Sequence, residues 1–161
     1  MDQVETLCTV LSDETRVCSA ISAILRDEQE AVIRLRPGAI LACLEQRQAL
    51  HEELLRLAAQ RRALVRDVAT TRGVTTESAT TLVSHLPPEP QAKLRAGVRS
   101  LRQALLEARG LEQQNAILIE TGLDSVGDLL RALRALVPGA RYGADAQMAP
   151  PPALERLDRR V

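Results

Sequence analysis

Aromatic residues are almost absent from this sequence of 161 residues, which has one tyrosine, no phenylalanine and no tryptophan. Hydrophobic residues still make up 45% of the chain, and leucine and alanine supply most of them. Leucine and alanine favour helices, whereas strands are enriched in aromatic and β-branched residues. The composition therefore argues against β-sandwiches, β-barrels and doubly wound α/β folds, and it predicts an all-α protein.

The sequence also lacks an excess of charge and a long hydrophobic run. Lysine and arginine number 21 and so do the acidic residues, so no net field attracts nucleic acid or an anionic membrane. No uninterrupted apolar run approaches the roughly 18–20 residues that span a bilayer. The first residues are acidic, where a secretory signal is basic. We predict a cytoplasmic protein that neither binds nucleic acid nor inserts into a membrane.

Residues that carry chemistry are few and scattered. Cys8, Cys18 and Cys43 have no C-x-x-C spacing, so we expect reduced, buried thiols. The surroundings of His51 and His85 match neither the zinc-protease nor the di-iron helix motif. Glycine-rich phosphate loops and G-x-S-x-G motifs are absent as well. We predict no catalytic residues, no metal site and no cofactor.

Apolar residues recur at alternating steps of three and four along three long segments. This heptad-type stripe is typical of amphipathic helices that pack as in coiled coils. It predicts helices over about 3–35, 39–70 and 89–136, with a short helix over 77–84. The connection Arg36-Pro37-Gly38 is so short that the first two helices must be antiparallel neighbours. The predicted fold is an all-α, antiparallel bundle of long helices over residues 1–137.

The pattern stops at Pro138-Gly139. Residues 138–161 contain a run of three prolines, few large apolar groups and charges of both signs. Such a segment cannot bury enough apolar surface to offset the entropy of ordering it. We predict a flexible C-terminal tail over 138–161.

One helix is predicted to be longer than its partners. At about 1.5 Å per residue, 89–136 spans about 72 Å, against about 50 Å for each of the first two helices. Its apolar stripe does not fade in the extra length, and an exposed stripe of this kind usually marks a surface for a partner. Two alternatives are that the chain bends near Gly122 and buries the stripe on itself, or that two copies form a homodimer. The stripe residues are Leu118, Ile119, Val126, Leu129, Leu133 and Leu136.

Three segments resemble the FlgN family of flagellar export chaperones. They are Leu111–Ile119, which reads LEQQNAILI, the Leu129-Leu130-x-x-Leu133 pattern, and Tyr142–Ala146, which reads YGADA. The family typically has an asparagine followed by a Leu-Ile pair, and later Tyr-Gly-x-Asp-Gly, in which Ala146 here replaces the final glycine. The resemblance covers roughly residues 1–146.

This resemblance implies a cytoplasmic, non-enzymatic chaperone for type III flagellar export. Such chaperones bind the C-terminal helical regions of hook-associated proteins of the FlgK and FlgL type. They prevent premature assembly and deliver these subunits to the export gate. The resemblance places cargo on the later part of the chain, in agreement with the stripe.

For Tyr142 and Gly143 the resemblance implies docking to the cytoplasmic domain of the gate or to cargo. The alternative for Tyr142 is a tail residue that packs back on the bundle. The alternative function for the whole chain is a homodimeric helical scaffold or adaptor without export cargo.

Overall fold

The computed structural model describes residues 3–136, and for Leu136 it describes only the backbone. This part of the chain contains four α-helices and no strand. The helices are α1 (Gln3–Ile33), α2 (Pro37–Thr71), α3 (Ala79–Val83) and α4 (Pro88–Leu136). The prediction of an all-α bundle of long helices, one longer than the others, is confirmed.

Helices α1 and α2 form an antiparallel hairpin held in register by two ion pairs. Arg61 Nε lies 2.8 Å from Glu14 Oε2, and Arg47 Nη1 lies 3.0 Å from Glu28 Oε2. The residue numbers in the two pairs have the same sum. In an antiparallel hairpin the residue numbers of each facing pair have the same sum along its whole length. Both ion pairs are therefore consistent with one register of α1 against α2.

Helix α1 is the central helix of the bundle. It is buried on a wide face, whereas α2 has only Leu57, Val65, Val68 and Ala69 buried. The other side of α1 packs against α4. There a Cβ added at Gly97 would lie 3.3 Å from Leu11 Cδ1, and Asn115 donates a hydrogen bond to the Leu25 carbonyl. Two helices therefore share α1 as their common partner.

The short helix α3 completes the core near the start of α4. The Ser78 side chain caps it by accepting a hydrogen bond from the Thr81 backbone N–H, at 3.4 Å. Leu82, which is fully buried, then joins the core cluster that contains Leu7 and Leu94. The prolines after α3 open α4, because proline fits a first helical turn.

Helix α4 stays helical through Gly110, Gly122 and Gly127. The chain nevertheless divides into two compact units, Met1–Ile119 and Glu120–Val161, and each is described by itself below. Residues 137–161 lie outside the described part. The predicted limits of the bundle at 137 and of the tail at 138–161 therefore stay predictions.

The end of α1 has an unusual residue in a common helix-ending motif. The Arg36 N–H donates to the Ala31 carbonyl, and the Leu35 N–H donates to the Val32 carbonyl, as in a Schellman motif. This motif needs a left-handed residue, and Leu35 takes that position with φ of 52° although glycine is usual there. Because Leu35 leaves the right-handed region, α1 ends at Ile33, two residues before the predicted end.

Replacing Leu35 with glycine should stabilise the protein. The left-handed conformation costs a leucine more than it costs a glycine, and the Leu35 side chain is 84% exposed, so few contacts are lost. We expect the free energy of unfolding, measured by urea titration with circular dichroism, to rise by about 0.5–1 kcal/mol. Leu35→Ala keeps the Cβ and is the matched control, which should show no such gain. A loss of stability in Leu35→Gly would contradict the argument.

Candidate functional site

A stripe of exposed apolar side chains runs along α4 within the second unit. Leu123, Val126, Leu130 and Leu133 follow one another at steps of three and four, so they share one helix face. Leu129 widens this face next to Leu130. The exposed fractions of these five residues lie between 49% and 68%. We call Leu123, Val126, Leu129, Leu130 and Leu133 the distal stripe.

Charged residues border the distal stripe. Asp128 and Arg131 form an ion pair with each other, and Asp124 and Arg134 are exposed. The Ser125 hydroxyl donates to the Thr121 carbonyl, 2.9 Å away. An apolar patch with a polar rim is typical of a protein-binding surface. The distal stripe has this composition.

The six residues predicted for cargo binding have different surroundings. Val126, Leu129 and Leu133 belong to the distal stripe, whereas Leu118 and Ile119 lie in the first unit, where Leu118 is half-buried. The side chain of Leu136, and all of Tyr142 and Gly143, lie outside the described residues. The role of all these residues in binding stays a prediction.

Leu123 and Leu130 belong to the distal stripe but were not among the six residues predicted for cargo binding. That prediction followed one residue per helical turn, whereas the apolar face of a helix is wide enough for neighbours of that line. The i, i+3 spacing from Leu123 to Val126 and the adjacency of Leu130 to Leu129 were the available signals.

Burial of the stripe by a fold-back at Gly122 is not found in residues 3–136. Helix α4 passes through Gly122 without interruption, and the stripe side chains are exposed there. A partner protein and a second copy of the chain both stay open as partners of the stripe.

In the first unit, a buried polar centre joins all three long helices. The Glu28 side chain on α1 is 2% exposed and its Oε2 accepts from Arg47 Nη1 of α2 at 3.0 Å. The same oxygen accepts from Asn115 Nδ2 of α4 at 2.9 Å, and this amide also donates to the Leu25 carbonyl at 2.8 Å. We call Glu28, Arg47 and Asn115 the Glu28 centre. It fixes the alignment of α2 and α4 on α1.

A second buried carboxylate lies two heptads earlier on α1. Arg61 Nε donates to both carboxylate oxygens of Glu14, at 3.1 and 2.8 Å. Burial raises the pKa of Glu14 because it disfavours the charged form, and the charge and hydrogen bond of Arg61 partly oppose this. This pairing was not predicted from the sequence, where its one signal is that these acids and arginines interrupt the two apolar stripes at positions of equal sum.

Removing one partner of the Glu14–Arg61 pair should cost more stability than removing both. Arg61→Leu leaves a buried carboxylate without a partner, and we expect the free energy of unfolding to fall by about 3 kcal/mol. Adding Glu14→Leu removes the stranded charge and should restore most of this loss. A double-mutant cycle by urea denaturation measures both values. A double variant as unstable as Arg61→Leu would show that the ion pair itself is strongly stabilising.

The raised pKa of Glu14 predicts the sign of a pH effect. Between the ordinary pKa of a glutamate and the raised value, the folded state keeps a proton that the unfolded state has lost. The free energy of unfolding must therefore fall as pH rises through this window. The measurement is the free energy of unfolding of the wild type minus that of Glu14→Gln, taken from about pH 4 to pH 7. We expect this difference to decrease as the pH rises. An increase would mean that Arg61 outweighs burial.

His51 and the three cysteines are the remaining residues with potential chemistry that the structure characterises. His51 Nδ1 lies 2.9 Å from the Arg47 carbonyl, and Nε2 lies 3.3 Å from Glu112 Oε1. All three cysteines are free, but only Cys18 is buried, so the predicted burial of Cys8 and Cys43 is wrong. Burial, with the nearby charge of Glu14, raises the pKa of Cys18 and lowers its thiolate fraction.

Metal sites and membrane spans are two other classes of feature that the described residues could contain. Residues 3–136 contain no group of three histidine, cysteine, aspartate or glutamate side chains arranged to hold a metal ion. Within the same range no helix combines the length and the apolar character needed to cross a membrane.

Comparisons with known proteins point to one family. The family described as "FlgN protein" matches residues 1–150, a range that includes the distal stripe, Tyr142 and Gly143. Curated proteins and solved structures gave no match. The family match spans most of the chain and agrees with the all-helical fold. The chain belongs to the FlgN family of flagellar export chaperones.

Proposed function

We propose that this protein is a cytoplasmic chaperone whose α4 surface binds the C-terminal helical regions of hook-associated proteins of the FlgK and FlgL type. It prevents their premature assembly and delivers them to the cytoplasmic domain of the type III export gate. The observation that carries the proposal is the exposed distal stripe, five large apolar residues on one helix face. Membership of the FlgN family supports the class of cargo.

The chemistry of the stripe suits an amphipathic helix as cargo. Such a helix lays apolar residues at three- and four-residue spacing along a matching face. Subunits that join through apolar helical faces need those faces covered before assembly, and the distal stripe offers a surface of the same kind. We place Leu118, Ile119 and Leu136 at the margins of the contact.

The composition of the stripe favours reversible binding. Its residues are already about half buried against their own helix, so complete burial adds only about 1 kcal/mol for each side chain. It has no aromatic residue to act as a central anchor, the usual source of very tight binding. A delivery protein must release its cargo, and moderate affinity allows this.

Tyr142 and Gly143 are proposed to contact the export gate or the cargo. The proposal rests on the family resemblance, since both residues lie outside the described part. Tyr142 is the one aromatic residue of the chain, so it is the natural anchor for a second contact.

Charges placed in the stripe should abolish cargo binding without unfolding the protein. In Leu129→Asp plus Leu133→Asp, cargo would have to bury carboxylates, and we expect the affinity to fall at least about a hundredfold. The measurement is calorimetric titration of the full chain with purified C-terminal segments of hook-associated proteins. Circular dichroism checks that the variant remains folded.

The matched control is Leu55→Asp plus Leu106→Asp. Leu55 and Leu106 are 68% and 61% exposed, as much as the stripe leucines, and lie outside the stripe. This control should bind cargo like the wild type. Equal binding by both double variants would contradict the assignment of the surface. If no cargo segment binds, and the stripe variant instead dissociates a wild-type dimer in sedimentation equilibrium, the scaffold alternative is correct.

A further inference from the structure

A groove that the proposed function does not use lies within the first unit. The first half of α2 and residues 112–119 of α4 form its walls, and Glu28 of α1 contributes to its lining. Its volume is about 760 Å³. Leu41 and Leu44 on one wall and Ile119 on the other remain exposed. This end of the bundle therefore has an apolar channel between two helices that already pack on a third.

The dimensions of the groove fit a short helix. Leu41, Leu44, Gln48 and His51 line one wall over about 15 Å, and Glu112 to Ile119 line the other over about 10 Å. An occupant of two to three helical turns matches this length. Both walls are α-helices, whose backbone groups are already hydrogen-bonded, so they offer no edge to an extended strand. A helix satisfies its own backbone and needs only side-chain contacts.

The charges of the groove select a basic occupant. Three carboxylates line it, those of Glu28, Glu45 and Glu112, against the single guanidinium of Arg47. Arg47 already pairs with Glu28, and Glu112 Oε1 lies 3.3 Å from His51 Nε2. Glu45 makes no ion pair within residues 3–136. With histidine counted as neutral, the groove carries an excess of negative charge that a lysine or arginine on the occupant would balance.

Asn115 also lines the groove, where it holds α4 to α1. It is 3% exposed and uses its amide nitrogen to donate to Leu25 and Glu28. Its Oδ1 is buried and has no exposed surface, so an occupant of the groove does not reach it. The groove therefore recognises an occupant through its apolar walls and its carboxylates.

We propose that this groove binds an amphipathic helix of a partner protein, with apolar residues on one face and basic residues beside them. This binding goes beyond the proposed function, because the groove lies in residues 28–119 and not in the distal stripe. It does not depend on whether the distal stripe binds cargo. The negative groove and the exposed Leu41 and Leu44 determine the chemistry of this partner.

The first test uses a fluorescein-labelled synthetic helix of about 12 residues, three turns long, with leucines on one face and lysines on the other. Its twin carries glutamate in place of each lysine. Fluorescence anisotropy with the full chain should show the lysine probe binding at least tenfold more tightly than the glutamate twin. Equal affinity of the two probes would overturn the proposal.

Variants then locate the binding site of the probe. Leu41→Gln and Ala116→Arg in the groove should each weaken binding of the lysine probe about tenfold. Leu55→Gln and Gln114→Arg, exposed positions on the same helices outside the groove, are the matched controls and should bind like the wild type. The distal-stripe variant Leu129→Asp plus Leu133→Asp should also keep its affinity. Loss of probe binding in that variant alone would assign the probe to the stripe and overturn the proposal.

Two further outcomes would replace the partner with another occupant. If the wild type dimerises in sedimentation equilibrium and Ala116→Arg abolishes the dimer, the occupant is a second copy. The chain's own C-terminal residues also combine leucines with arginines. If Leu154→Asp plus Leu157→Asp strengthens probe binding about tenfold, that segment competes for the groove and the partner proposal is wrong.

Discussion

The buried carboxylate of Glu28 is the group on which the alignment of the three long helices depends. It accepts hydrogen bonds from Arg47 on α2 and from Asn115 on α4. These two bonds align α2 and α4 with the same position along the axis of α1. The surrounding core of small and aliphatic residues discriminates weakly between registers, because similar side chains recur at every turn. A slip would leave a buried charge without partners, which costs far more than a change in aliphatic packing. We infer that polar contacts, more than apolar shape, specify this bundle.

The central place of α1 decides which surfaces the rest of the chain leaves open. One end of the bundle has a dense core, to which α3 adds Leu82 and Val83. At the other end the first half of α2 is covered on one side only, and Leu41 and Leu44 remain exposed. Among residues 3–136 no fourth long helix covers that side, and the groove lies there.

The two exposed surfaces differ in chemistry although both are apolar. The distal stripe is rimmed by charges of both signs, and its residues belong to one helix. The groove lies between two helices and has carboxylates among its lining residues. The distal stripe would bind an amphipathic helix through the apolar area that the two helices bury. The groove would bind one through contacts from two walls and through its negative charge.

Composition and periodicity were enough to predict the helical class, the hairpin between α1 and α2, and the apolar stripe on α4. Each of these depends on a local pattern of residues, which can be recognised without knowledge of the fold. The packed structure was needed to find that Glu14 and Glu28 face arginines in a buried interface, that Asn115 completes the Glu28 centre, and that Leu41 and Leu44 line a groove. These features bring together residues that are distant in sequence. The apolar periodicity within one helix gives no information about such contacts between helices. The end of α1 was missed for a related reason: Leu35 adopts a backbone conformation that its residue type disfavours, and the Schellman hydrogen bonds of the turn impose it.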